Sequence, residues 1–201
     1  MTRGFFLYAR SRAVPAALVG LAATAVLALW AAHGPDTFTA PDGRVPLVVL
    51  APLMAAAAIG VSLRTASAEL ERTAVRAWGP RRLVQLVGLT APAVALLSAA
   101  APGHPGGFGT PEMIRNTLGC AGITAAAAVL LGSRLSWLPA FLYVAFVCPA
   151  SQGTQGRAAL LWAWPMQPGA RPEAWAAAVA VFVVGAVLYA VRGARPEGPR
   201  A

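Results

Sequence analysis

Polar and apolar positions in this chain fall into long blocks and do not alternate at short range. Apolar runs cover about residues 13–32, 45–63, 83–101, 116–132 and 174–191. Each is close to the roughly 20 residues that a helix needs to cross a bilayer. A further run, 137–150, is shorter; as a helix it reaches about 21 Å, against a hydrocarbon core of about 30 Å. The stretch 151–172 holds another apolar patch, Ala158–Met166, cut by Pro165 and set off by Gly153 and Gly156. This pattern predicts a fifth helix followed by a re-entrant or interfacial piece. The alternative is one long tilted fifth helix carrying Arg157 near its end. Pro52 and Pro92 fall inside the second and third spans as expected kinks. The expected fold is an all-α integral membrane protein with six transmembrane helices.

Composition fits that pattern. Hydrophobic residues make up 58% of the 201 positions and charged ones 11%, whereas soluble domains carry about 45–50% and 25%. An ordinary soluble domain and a disordered chain are both excluded. The net charge of +9 would point to nucleic acid if it formed one patch, but it follows the spans instead. With six crossings, one side carries Arg3, Arg10, Arg12, Arg64, Arg72, Arg76, Arg81, Arg82, Arg134, Arg192, Arg195 and Arg200. The other carries Arg44, Arg115, Arg157 and Arg171. The acidic residues leave the first side at +9 and the second neutral. Arginine-rich short loops are cytoplasmic, so residues 1–12 and the tail 192–201 are expected inside, in a multi-pass inner-membrane protein with no nucleic-acid partner. The first span reads as a retained signal anchor. Residues 3–12, with Phe5, Phe6, Leu7 and Tyr8, read as an interfacial segment leading into it. Trp30, Trp137 and Trp175 mark span ends, and Trp162 and Trp164 sit in the outer patch, as interfacial indoles should.

Catalytic chemistry is sparse. All 16 basic residues are Arg, so no Walker A lysine exists to reach a nucleotide phosphate. HExxH, GxSxG and CxxC are absent. Asp42-Gly43 reads as a turn, and His33 and His104 as loop residues. Cys120 and Cys148 read as buried thiols or, alternatively, a disulfide. No Asp, Glu, Lys, Arg or His lies inside the assigned spans, which argues against an autonomous ion-coupled carrier. Gln85, Thr90, Thr117 and Thr124, with Ser98, are the polar residues that could line a path or bond between helices. Ala56/Gly60 and Gly122/Ala126 offer small surfaces for close helix packing.

Between the second and third spans, residues 64–82 form the most ordered polar stretch. Ser67 is an N-cap, Glu69 and Glu71 fall in the first turn, Arg72 and Arg76 follow, and Gly79-Pro80 stops the helix before Arg81-Arg82. Acid first and base last suits the helix dipole. Ala66, Leu70, Ala74 and Trp78 recur every four residues as one apolar stripe. The stretch predicts a short cytoplasmic amphipathic helix, serving either as a connector resting on lipid or as a docking helix for a partner.

This layout resembles the membrane subunit of type-2 ATP-binding-cassette exporters: an amphipathic N-terminal segment, six spans, a coupling helix between spans two and three, and a re-entrant patch between five and six. Ala68-Glu69-Leu70-Glu71-Arg72-Thr73, then Gly79-Pro80-Arg81-Arg82, is similar to the family's acidic stretch, Gly-Thr-x-Glu and Pro-containing turn. Arg72 replaces the Gly, and no Glu sits two residues after Thr73. The resemblance implies a permease that pairs with a second copy or a related subunit. It also implies a separate cytoplasmic P-loop ATPase, which would bind ATP and Mg; this chain itself would hold no cofactor. Glu69 and Glu71 would contact that ATPase, with Arg72, Arg76, Trp78, Arg81 and Arg82 beside them. The implied cargo is lipid-like, peptide or drug-like. The competing expectations are a non-transporting anchoring, assembly or regulatory subunit, and an integral-membrane enzyme, channel or carrier acting alone.

Overall fold

The computed structural model describes residues 12–33, 44–64, 78–100, 109–151, 157–168 and 171–196. Those residues are all helical, with no strand among them. The elements are α1 (Val14–His33), α2 (Arg44–Ser62), α3 (Gly79–Ala100), α4 (Thr110–Leu131), α5 (Leu138–Ala150), α6 (Arg157–Trp162), a 3₁₀ turn (Trp164–Met166) and α7 (Pro172–Arg192). By length and composition α1, α3, α4 and α7 can each cross a bilayer. Leu47–Ser62 and Leu138–Ala150 are shorter apolar helical stretches. The protein is therefore read as membrane-embedded, and its many exposed Leu, Val and Phe side chains suit a lipid surround.

Interhelical bonds fix which ends meet. Arg12 ahead of α1, Leu63 after α2 and Tyr189 late in α7 form one chain of contacts. Gln85, early in α3, reaches Ser62 at the end of α2, and Arg195, beyond α7, reaches Leu130 at the end of α4. At the opposite end Thr110 opens α4 beside Ser98, late in α3. Asn116 reaches Val48, early in α2. Helices α1 and α3 thus run one way, and α2, α4 and α7 the other. The start of α1 and the end of α7 share one end of the bundle, with the end of α2 and the start of α3.

Helix α4 is the most buried of the four long helices and packs against α2, α3, α5 and α7, while α1 packs on α2 and α3. Its contact with α7 is made by glycines. A Cβ on Gly185 would strike the Gly122 carbonyl oxygen, so the two backbones touch. Gly60 of α2 seats against Thr124 and Ser136 in the same way. In lipid, burial of apolar area drives helix association only weakly, and close van der Waals contact at small residues takes its place.

Two boundaries differ from the hydropathy reading. The fourth helix starts at Thr110 and not near Asn116, because Pro111 occupies its first turn and Glu112 accepts the Gly109 N–H at 2.8 Å. Glu112 and Arg115, expected in a loop, are consequently buried helix residues. Gly79-Pro80 opens α3 instead of preceding a turn, which brings Arg81 and Arg82 into the helix.

Candidate functional site

Two polar assemblies cap the bundle, one at each end. At the arginine-rich end, helix C-termini leave carbonyls that no following N–H can satisfy. Side chains from other elements supply the donors. Gln85 Nε2 donates to Ser62 O at 2.7 Å, and Tyr189 Oη to Leu63 O at 3.3 Å. Arg12, buried to 2% exposure, donates to Tyr189 Oη at 3.2 Å. Arg82 Nη1 approaches Ala190 O at 3.4 Å, and Arg195 Nη1 donates to Leu130 O at 3.1 Å. Gly193, at φ +72°, ends α7 in the left-handed region, and a Cβ there would meet the Arg82 guanidinium at 2.6 Å. Arg81 lies over the Trp78 ring at 5.2 Å, a cation–π contact. The start of α3 is therefore bolted to the ends of α2 and α7. Of the residues singled out for partner docking, Trp78, Arg81 and Arg82 belong to this assembly. Glu69, Glu71, Arg72 and Arg76 lie outside the described residues, as do the N-terminal segment before Arg12 and His104.

The second assembly was not anticipated. Arg115, Asn116 and Glu112 of α4 are buried at the opposite end, beside the segment formed by α6 and the 3₁₀ turn. That segment dips into the bundle: Trp164 packs on Gly119 so closely that a Cβ there would strike its ring. Gly119 lies nine residues after Thr110, about 14 Å down the axis of α4. Irregular backbone buried among helices needs donors for its carbonyls, and α4 and α5 supply them. Tyr143 Oη donates to Trp162 O at 2.6 Å, Asn116 Nδ2 to Pro165 O at 3.0 Å, and Arg115 Nη2 to Gln167 O at 2.8 Å. The Tyr143 and Trp164 rings stack at 5.8 Å. Asn116 Nδ2 also donates to Val48 O at 3.0 Å. Pro52 of α2 has no N–H to offer that carbonyl one turn back, so Asn116 replaces the bond the proline removes. Its Oδ1 accepts from Arg115 Nε at 3.3 Å.

The four residues singled out as a possible path are all buried. Gln85 holds the end of α2, and Thr90 and Thr117 bond back to Leu86 O and Met113 O in their own helices. Thr124 Oγ1 has no hydrogen-bond partner among the described residues. Cys120 and Cys148 are free thiols, and Cys148 Sγ lies 3.9 Å from Met166 Sδ of the 3₁₀ turn. Among the described residues no cluster of three or more His, Cys, Asp or Glu side chains could hold a metal ion. Comparison with known protein families, with curated proteins and with solved structures finds nothing that matches this chain.

Proposed function

We propose that this chain is a six-span membrane permease subunit, worked by a separate cytoplasmic ATPase that grips the 64–82 connector. Its arginine-rich end faces the cytoplasm with both flanking segments, and α5 with the re-entrant segment completes the count of crossings. The observation that carries the reading is the bolting of α3 at Arg82 and Gln85 to the ends of α2 and α7. A displacement of the connector next to Trp78 would reach three helices at once. The grouping of described arginines at that end supports the orientation. A partner class follows from the same end: an ATPase surface that meets a short helix with Glu69 and Glu71 in its first turn and Arg72 and Arg76 following toward its C-terminal end. The cargo class that fits apolar, lipid-exposed helices is an amphiphile taken from or released into the bilayer.

The test is co-purification with a candidate cytoplasmic P-loop ATPase produced together with this chain. Deleting Ser67–Trp78 should weaken recovery of the ATPase about tenfold or more, and Glu71→Ala should weaken it measurably. Equal recovery without the helix refutes the docking assignment. The second reading, a non-transporting scaffold, draws support from the backbone contact of Gly122 with Gly185, which suits a fixed bundle. ATP-driven cargo movement in vesicles holding both chains would reject it.

A further inference from the structure

Asn116 hydrogen-bonds two features that also touch directly, since Met166 packs on the cluster of Val49 and Ala56. One nitrogen donates to Val48 O, the carbonyl that Pro52 leaves unpaired in α2, and to Pro165 O in the re-entrant segment, both at 3.0 Å. A proline-broken turn is where a helix bends. The far end of that helix is held at Ser62 and Leu63 by Gln85 and Tyr189, next to the connector. On its other side, the segment is held by α4 and α5 through hydrogen bonds to its backbone carbonyls, by the Trp164 ring over Gly119, by Trp164 packed with Ala174 and Ala178 of α7, and by the Met166–Cys148 contact. Leu161 and Pro168 at its margins are exposed. Were the segment to lift toward the polar side of the bilayer, water would replace each lost donor at small net cost.

We propose that α2, Asn116 and residues 157–168 form a hinge and latch. Bending of α2 at Pro52 withdraws the Val48 carbonyl, frees the Asn116 amide, and lets the segment lift off α4. Cys148 is half-buried, and the lifted segment carries Met166 away from it and exposes the thiol further. Cys120, buried under Val49, Ala56 and Val144, stays covered because α2, α4 and α5 remain packed. The device links the connector end of the bundle to its opposite end through α2 and Asn116, and it does not depend on the identity of any partner or cargo.

The chain carries two cysteines, so each reports on one state. The purified full chain in lipid nanodiscs is pulsed with N-ethylmaleimide, and each site is read by peptide mass. In the native chain Cys148 should label slowly and Cys120 not at all. Asn116→Ala and Pro52→Ala should each raise the Cys148 rate about tenfold or more, since local opening governs access to a covered group. Pro52→Ala restores an N–H for Val48 O within α2 and so removes one anchor from Asn116. The double variant should label no faster than Asn116→Ala, because both act on one latch. Asn116→Asp, which keeps the size and loses the donor, should match Asn116→Ala. A Cys148 rate within about twofold of native in the Asn116 variants overturns the latch. A native rate in Pro52→Ala alone, or a double variant whose rate is the product of the singles, overturns its link to the hinge. Labelling of Cys120 together with Cys148 overturns it as well, because the segment then has no opening of its own.

Discussion

Asn116 and Arg115 do the work of backbone donors that the chain lacks. Replacing Asn116 with Leu strands Val48 O and Pro165 O in a buried site, each at a cost of about 1–3 kcal/mol. The thermal unfolding midpoint in detergent should fall, and an unchanged midpoint would contradict the assigned bonds. Ala13 illustrates the opposite sign. Its φ of +52° places a side chain in the left-handed region, held there because Arg12 turns inward to Tyr189. Ala13→Gly removes the Cβ clash and should stabilise the chain by about 0.5 kcal/mol or more, seen as a raised midpoint; a lowered one would refute the strain. Gly193→Ala should do the reverse, by about 1–2 kcal/mol, and should push Arg82 off Ala190.

Elements were legible where the pattern is local and hidden where it is not. Apolar runs announce helices because a crossing needs only length and composition. The break at Gly153, Gly156 and Pro165 signals a short interrupted segment, and the structure describes α6 and a 3₁₀ turn there. The start of α4 carried a signal of its own: Pro111 and Glu112 are a helix opening, outweighed in the hydropathy reading by the polar character of residues 110–116. The Arg115–Asn116 assembly had no such signal. Its partners are backbone carbonyls 49 and 68 positions away from Asn116, and 52 from Arg115, and no motif encodes a carbonyl freed by a distant proline. Small-residue spacing did flag Gly60 and Gly122, yet the partner of Gly122 is Gly185, which no spacing within one helix could name. The packing of α4 on α7 yields an element-scale prediction. Gly185→Leu forces the two backbones apart and should destabilise the chain by about 3 kcal/mol, with loss of the monodisperse peak in size-exclusion chromatography. Normal behaviour of that variant would contradict the backbone contact.

At the scale of the whole molecule, charge and helix direction agree. The ends of α2, α4 and α7 point to one side, where the negative ends of their dipoles face Arg12, Arg64, Arg82, Arg134, Arg192 and Arg195. Glu112 and Glu173 sit in the first turns of α4 and α7 at the other side. The same separation satisfies the positive-inside rule, so helix stability and membrane orientation select the same sequence. The proposed orientation would put the connector in the cytoplasm and the segment of α6 and the 3₁₀ turn toward the other side. The most direct measurement is side-specific thiol labelling of single-cysteine chains, in a background with Cys120 and Cys148 replaced by Ser. With a membrane-impermeant maleimide, Arg171→Cys should label in intact cells, and Arg64→Cys only after the membrane is opened. Labelling of Arg64→Cys from outside, or of both positions from the same side, would contradict the account.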